Sequence, residues 1–357
     1  LGADLFNAMR AWAGKLPGSL AMATVFTGAA FGAVCGDSFA TAATIGKVAI
    51  PEMKKAGYPL PMASGAVAAG GTLGIMIPPS TIFIIYAIVT ETSIAKLFIA
   101  GIIPGIMLAV LISIALYIQA VRDPRFKEIE VRSYTLKEKI IATKGVLPIV
   151  LLFLLCIGGI YLGWFTPVEG GAVGAFGSFV FILLRDLKHF KFSMLSDSLL
   201  EAANISGMIL FLMAGIEFIN SSLALSKIPM DLADALFNSG LSDWMIFWIF
   251  ILLFLAAGFI LNIVVVLLLT VPILLPSLTA MNLDLIWFGV IFTLVTMIGQ
   301  LTPPIGVVCF VVRTLDKDLK LEDVFKGVTA LWMAMIVGLV LLIIFPDIAL
   351  FLGSFMK

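Results

Sequence analysis

Apolar residues run in blocks of about 20 along most of this chain. Polar residues collect between the blocks rather than alternating within them. About 20 apolar residues are what a helix needs to cross a hydrocarbon core of roughly 30 Å. The segments 94–119, 146–163, 165–184, 198–225 and 328–355 read as ordinary spans. The segments 60–90 and 285–312 read as spans broken partway, by Gly74-Ile-Met-Ile-Pro-Pro79 and Gly299-Gln-Leu-Thr-Pro-Pro304. A Pro pair removes two backbone donors and ends a helix. In a bilayer, groups freed in this way are tolerated only where they line a cavity or bind something. Two such breaks, in corresponding places of two halves, point to a transporter binding site at the bilayer midplane.

Two apolar stretches, 18–50 and 242–275, are longer than one span and carry a polar residue near the middle, Asp37 and Asn262. Each reads as one long helix or as a hairpin that enters and leaves by the same side. Basic residues separate the two readings. With both stretches as re-entrant hairpins and the loop 121–145 cytoplasmic, 18 Lys and Arg lie inside and 3 outside, Lys96, Lys227 and Lys357, while Lys47 falls within a hairpin. That is the asymmetry of the positive-inside rule, and two crossing helices would worsen it. The first hairpin then opens to the cytoplasm and the second to the outside, so the halves are inverted repeats. Asp37 and Asn262, Pro51 and Pro276, Gly74 and Gly299, Pro78 and Pro303, and Pro79 and Pro304 are each 225 residues apart.

An amphipathic segment precedes each hairpin. Residues 1–16 place Leu5, Met9, Trp12 and Leu16 on one helical face, and 229–241 do the same with Leu232, Leu236, Phe237 and Leu241. Both read as helices at the membrane surface. The span 198–225 precedes the second arm and nothing matches it before the first. With Leu1 in place of Met, this suggests a fragment lacking N-terminal spans.

Composition narrows the function. The chain is 61% hydrophobic and 12% charged, with mean hydropathy +1.16; a soluble chain carries about 25% charged residues. Zero net charge gives no sign of nucleic-acid binding. Cys35, Cys156 and Cys309 are isolated, and His189 is the one histidine, beside Arg185, Lys188 and Lys191. That set offers no disulfide framework, zinc site or catalytic triad, so the chain is not expected to be an enzyme. No Gly-x-x-x-x-Gly-Lys-Ser/Thr motif is present to couple ATP hydrolysis.

Seven stretches carry a family resemblance: Leu16-Pro-Gly-Ser-Leu20, Gly46-Lys-Val-Ala-Ile-Pro51 with Gly57-Tyr58, Gly74–Ser80, Thr166-Pro-Val-Glu-Gly-Gly-Ala172, Pro272-Ile-Leu-Leu-Pro276, Phe288-Gly-Val-Ile291 and Gly299–Gly306. In this order they resemble the large membrane subunit of a TRAP transporter (tripartite ATP-independent periplasmic transporter), the dicarboxylate-type permease. The family's large subunit is longer at its front. The resemblance implies an all-α polytopic protein of the bacterial inner membrane, an inverted-repeat elevator with two re-entrant hairpins and two broken helices. It implies a small membrane subunit, a periplasmic binding protein that delivers an organic acid, and sodium as the coupling ion, with no cofactor. The expected organisation is an arm helix (1–17), a first repeat (18–119), a cytoplasmic loop (120–145), scaffold spans (146–225), a second arm (226–241) and a second repeat (242–357) ending in the periplasm. Sialic acid, C4-dicarboxylates and other carboxylates all remain open as substrate.

Carried over by position, one sodium site would use Gly74, Ile77 and Pro78 with the hairpin tip near Cys35. The other would use Gly299, Thr302 and Ile305 with Gly258. Most would act through backbone carbonyls, which suit a hard cation. The acid's carboxylate would sit between the hairpin tips, at Gly36, Asp37, Ser38, Thr41 and Asn262, where half-helix N-termini and hydroxyls bind anions. Two positions depart from the family. It often has a small hydroxyl residue where this chain has Cys35 or Asp37, and usually an acid where this chain has Asn262. Asp37 therefore either helps hold a cation or caps the helix that follows it. Thr166-Pro-Val-Glu169 reads as a capping box. Glu217 and Asn220 lie inside a span, facing the scaffold interior or the small subunit. A carrier of the same kind that works without a binding protein is the alternative.

Overall fold

A computed structural model describes residues 2–127, 134–185 and 191–355, and every regular element among them is helical. The first half opens with α1 (Gly2–Ala13). Two helices joined at a sharp turn follow, α2 (Ser19–Cys35) and α3 (Ser38–Lys55). Gly36 makes the turn at φ 68°, in the left-handed region where a Cβ is costly. Asp37 then starts α3 by accepting the Ala40 N–H at 2.7 Å. The broken helix comes next as α4 (Leu60–Leu73) and α5 (Thr81–Thr90), and α6 (Ile94–Arg122) closes the half. Between the halves lie α7 (Leu136–Lys144), α8 (Leu147–Tyr161), α9 (Pro167–Arg185) and α10 (Phe192–Ser226).

The second half is α11 (Ile228–Asn238), the hairpin α12 (Asp243–Ile260) and α13 (Ile263–Ala280), the broken helix α14 (Leu285–Leu301) and α15 (Val307–Arg313), and α16 (Leu321–Ile344), followed by the single turn α17 (Asp347–Leu350). The 225-residue spacing holds element by element. Shifted by it, the starts of α3 and α4 fall on those of α13 and α14, and the ends of α1, α2 and α3 fall on those of α11, α12 and α13. The caps repeat as well: Asn262 starts α13, its Oδ1 accepting the Val264 N–H at 2.9 Å.

The stretches 18–50 and 242–275, read as hairpins, are each two helices, divided at Gly36–Asp37 and at Leu261–Asn262. Other sequence expectations shift. The final span is Leu321–Ile344 rather than 328–355, because Pro346 follows directly and cannot continue a helix. Residues 120–145 are more than a connector: α7 forms there on a Thr135–Glu138 capping box. It packs on α1, where Trp12 Nε1 donates to Thr143 Oγ1 at 2.8 Å and Lys139 lies over the indole. The buried face of α1 is accordingly Leu5, Phe6, Ala8 and Ala11, while Trp12 and Leu16 are exposed.

The first half of each broken helix forms the core. α4 is buried along all of Met62–Leu73 and α14 along all of Trp287–Leu301, as befits helices apolar on every side. α4 lies among α2, α3 and α16, and α14 lies against α12 and α16. Small residues set the spacing: a methyl on Gly28 would collide with Gly70, and one on Gly327 with the Pro61 carbonyl. Hydrogen bonds join the halves, from Tyr86 Oη to the Leu285 carbonyl at 2.9 Å and from Lys54 to Asp316 and Asp318. By length and composition six described helices can cross a membrane: α6, α12, α13, α16 and most of α9 and α10. At 18 residues, α12 and α13 each extend about 27 Å at 1.5 Å per residue, so length alone permits them to span or to re-enter. α8, α9 and α10 leave large apolar side chains uncovered, Phe176, Phe211 and Phe218 among them.

Candidate functional site

In a helix, the donors that a Pro pair lacks belong to the carbonyls four residues earlier. For Pro78 and Pro79 these are Gly74 and Ile75. Ser80 Oγ donates to the Ile75 carbonyl at 2.6 Å and also accepts the Phe83 N–H that starts α5. No donor among the described residues reaches the Gly74 carbonyl. For Pro303 and Pro304 the carbonyls are Gly299 and Gln300. The Thr302 N–H donates to Gly299 at 3.0 Å, and none of the described donors reaches Gln300. The peptide bond within each Pro pair is cis. Each break thus presents carbonyl oxygens where a half-helix ends and its dipole is negative.

A hairpin lies over each break. On the first side, a methyl on Gly32 would overlap the Gly74 Cα, and one on Gly36 would come within 3.3 Å of the Pro79 carbonyl oxygen and of Thr81 Oγ1. Thr41 sits on the same spot. Its hydroxyl donates to the Asp37 carbonyl at 2.6 Å and lies 3.1 Å from where a Gly74 methyl would be. On the second side, a methyl on Gly299 would be 2.9 Å from the Gly258 Cα. Glycine is required here because backbone meets backbone.

The structure therefore brings together Gly36, Thr41 and Gly74 in one place, and Gly258 and Gly299 in another. Cys35 ends α2 as an exposed residue whose thiol lies beside the Asp37 backbone and the Thr41 side chain. Ile77 turns toward Gly105 of α6, so its side chain packs and only its backbone is left to bind. Pro78 lies between α4 and α5, and half-buried Ile305 lies between α14 and α15. The Thr302 hydroxyl donates to the Ile298 carbonyl at 2.6 Å and accepts from Trp332 Nε1 at 2.7 Å. One lone pair remains to it. Asp37 and Asn262 are both helix caps.

Ser38 makes a contact that sequence reasoning missed. Buried at the start of α3, it donates from Oγ to Gln300 Oε1 at 3.2 Å, tying the first hairpin tip to the second break. Gln300 is fully buried, and its Nε2 has no hydrogen-bond partner. Leaving such a donor unpaired costs about 1–3 kcal/mol. The available signal was a lone amide in the otherwise apolar run before Thr302.

Away from the breaks, Lys54 is held between Asp316 at 3.1 Å and Asp318 at 2.6 Å. The Asp318 N–H and then the Lys54 ammonium hold the Asp316 carboxyl below its ordinary pKa. Arg10 of α1 pairs with Glu52 of α3 at 3.1 Å. Glu169 and Thr166 form the expected capping box, with hydrogen bonds of 2.8 Å from the Thr166 N–H and 3.3 Å from the Glu169 N–H. His189 and the side chains of Glu217 and Asn220 lie outside the described residues.

The sequence matches the profile of the family "Tripartite ATP-independent periplasmic transporter, DctM component" over residues 1–348. It is 33% identical over 353 residues to the C4-dicarboxylate TRAP transporter large permease protein DctM of Pseudomonas aeruginosa, covering 99% of this chain and 81% of that protein. It is 32% identical to the 2,3-diketo-L-gulonate TRAP transporter large permease protein YiaN of Escherichia coli, covering 94% and 78%. It is also 32% identical to the sialic acid TRAP transporter permease protein SiaT of Haemophilus influenzae, covering 98% and 56%. A chain of buried broken helices, doubled at a fixed spacing and matched to this profile along nearly its whole length, belongs to the DctM family, the large permease subunits of the TRAP transporters.

Proposed function

We propose that this subunit imports an organic acid, a carboxylate handed over by a periplasmic binding protein, together with sodium, by an elevator form of alternating access. The observation that carries the reading is the pair of helix breaks. At each, a Pro pair leaves a carbonyl with no described donor, Gly74 or Gln300, and a hairpin glycine packs on the break, Gly32 on Gly74 and Gly258 on Gly299. Sodium takes such oxygens. One ion would use the carbonyls of Gly74, Ile77 and Pro78 with the tip near Cys35. The other would use Gly299, Thr302 and Ile305 with Gly258. The acid would bind between the tips, at Gly36, Asp37, Ser38, Thr41 and Asn262, against the N-terminal ends of α3 and α13. Asp37 keeps one carboxylate oxygen free of its cap and would lend it to a cation.

The two hairpins and two broken helices would move together against the remaining spans. The small membrane subunit would cover the uncovered apolar side chains of α8, α9 and α10. The protein would be multi-pass in the bacterial inner membrane with its C-terminus in the periplasm, as the distribution of basic residues favours. Each net positive charge carried inward gains about 2.3 kcal/mol per 100 mV, so two or more sodium ions per monoanion would concentrate the acid.

The test is uptake of a panel of labelled carboxylates into proteoliposomes that hold this subunit and its small partner, with and without the binding protein. Uptake that requires the binding protein supports the reading and names the acid. Uptake that proceeds without it replaces the reading with a stand-alone carrier.

A further inference from the structure

The internal repeat supplies a control for the Ser38–Gln300 pair. The positions equivalent to Ser38 and Gln300 in the opposite halves are Ile263 and Ile75. Both are buried and apolar. The fold therefore builds a hairpin start and a helix break from isoleucines, and needs no polar pair to do so. Only one of the two equivalent places carries polar side chains. Its amide nitrogen is buried and unpartnered, a condition that calls for an explanation in a native protein.

The neighbourhood of that amide suits an oxyanion. Ser38 anchors the amide through Oε1, which leaves Nε2 as a spare donor. Asp37 caps α3 through the Ala40 N–H alone, and no acceptor among the described residues meets the N–H groups of Ser38 and Phe39. These are the first donors of an 18-residue helix, where the dipole favours negative charge. The Asp37 carboxylate opposes an anion here; a cotransported sodium ion would supply the offsetting charge.

We propose that Gln300 is a specificity-determining residue: its amide Nε2 donates to a carboxylate oxygen of the transported acid, which docks on the N-terminus of α3. The proposal rests on the reading of this subunit as an importer of organic acids. The backbone carbonyl of Gln300 has no described donor and would be open to the cation, so one residue would touch both cargoes through different atoms. Side-chain substitution separates the two roles.

The experiment compares Gln300→Leu, Gln300→Glu and Gln300→Asn with wild type in the reconstituted complex, using the acid that wild type transports. Readouts are KM for the acid, half-saturating sodium at saturating acid, and thermal stability. Losing a hydrogen bond to a charged group predicts a KM for Gln300→Leu raised about 10- to 100-fold. The negative side chain of Gln300→Glu should weaken binding further, and Gln300→Asn should fall between. Sodium half-saturation should stay unchanged in Gln300→Leu, because the carbonyl remains. Its melting temperature should stay near that of wild type, because the substitution removes the orphan Nε2 donor but also takes the acceptor from the buried Ser38 hydroxyl. An unchanged KM in Gln300→Leu overturns the proposal. A shift in sodium half-saturation at unchanged KM also overturns it and assigns the amide to the cation. A wild-type complex that takes up no carboxylate removes the functional reading itself, a result visible before any variant is made.

Discussion

Gly32→Ala probes the contact on which the first site depends. The added methyl would overlap the Gly74 Cα, a backbone atom at the end of a helix that is buried from Met62 to Leu73. Alanine in place of glycine inside a helix gains up to about 1 kcal/mol. Forcing a methyl into packed backbone costs roughly 1–3 kcal/mol. The net expectation is a loss of up to about 2 kcal/mol and a hairpin displaced from the break. Gly207→Ala in α10 is the matched control, since nothing lies within 4 Å of its new methyl; it should keep the propensity gain. The propensity gain is common to both, so the two variants should differ by the clash alone, about 1–3 kcal/mol, with Gly32→Ala the less stable. Thermal unfolding of the purified subunit, read by intrinsic tryptophan fluorescence, measures the difference, and uptake should fall in Gly32→Ala alone. Equal melting temperatures for Gly32→Ala and Gly207→Ala, with uptake intact, would refute the backbone-on-backbone contact.

Other expectations follow from single groups. Asn caps helices as well as Asp, so Asp37→Asn should leave stability nearly unchanged while raising half-saturating sodium in uptake; unchanged sodium dependence would leave Asp37 a cap only. Thr302→Val takes the acceptor from Trp332 Nε1 and should lower stability by about 1–3 kcal/mol, a loss that Thr302→Ser restores in a melting experiment. The lowered pKa of Asp316 means that its contribution is present in full above the ordinary aspartate range and is lost as pH falls through the lowered value. Melting temperature recorded against pH should drop on that acid side, modestly because Lys54 is partly exposed, and less steeply in Asp316→Asn.

Much of the architecture was legible because a bilayer leaves few options. The Pro pairs located both breaks, since no helix can run through them. The spacing of Asp37 and Asn262 anticipated two turns that the structure places at matching positions. Boundaries were less visible: Pro346 moved the last span forward, and α7 was hidden in a stretch whose charges resemble a solvated loop. The face of α1 was misjudged because Trp12 meets α7 from the side, a contact no periodicity encodes. At the site, Gly74 and Gly299 announced themselves by the repeat. Gln300 did not, because its partner Ser38 is 262 residues away. The side-chain amide was masked by the very symmetry that revealed the glycines: an isoleucine fills its equivalent place.

In the proposed function, sodium flowing inward drives the acid inward through this subunit. The most direct measurement is the accumulation ratio of the labelled acid in proteoliposomes holding both membrane subunits, with the loaded binding protein outside and the sodium gradient set at several values. The account predicts a ratio above one with inward sodium, rising with the gradient and with an inside-negative potential, and collapsing to one when the gradient and the potential are dissipated. Accumulation that is indifferent to sodium, or that follows a proton gradient instead, would contradict it.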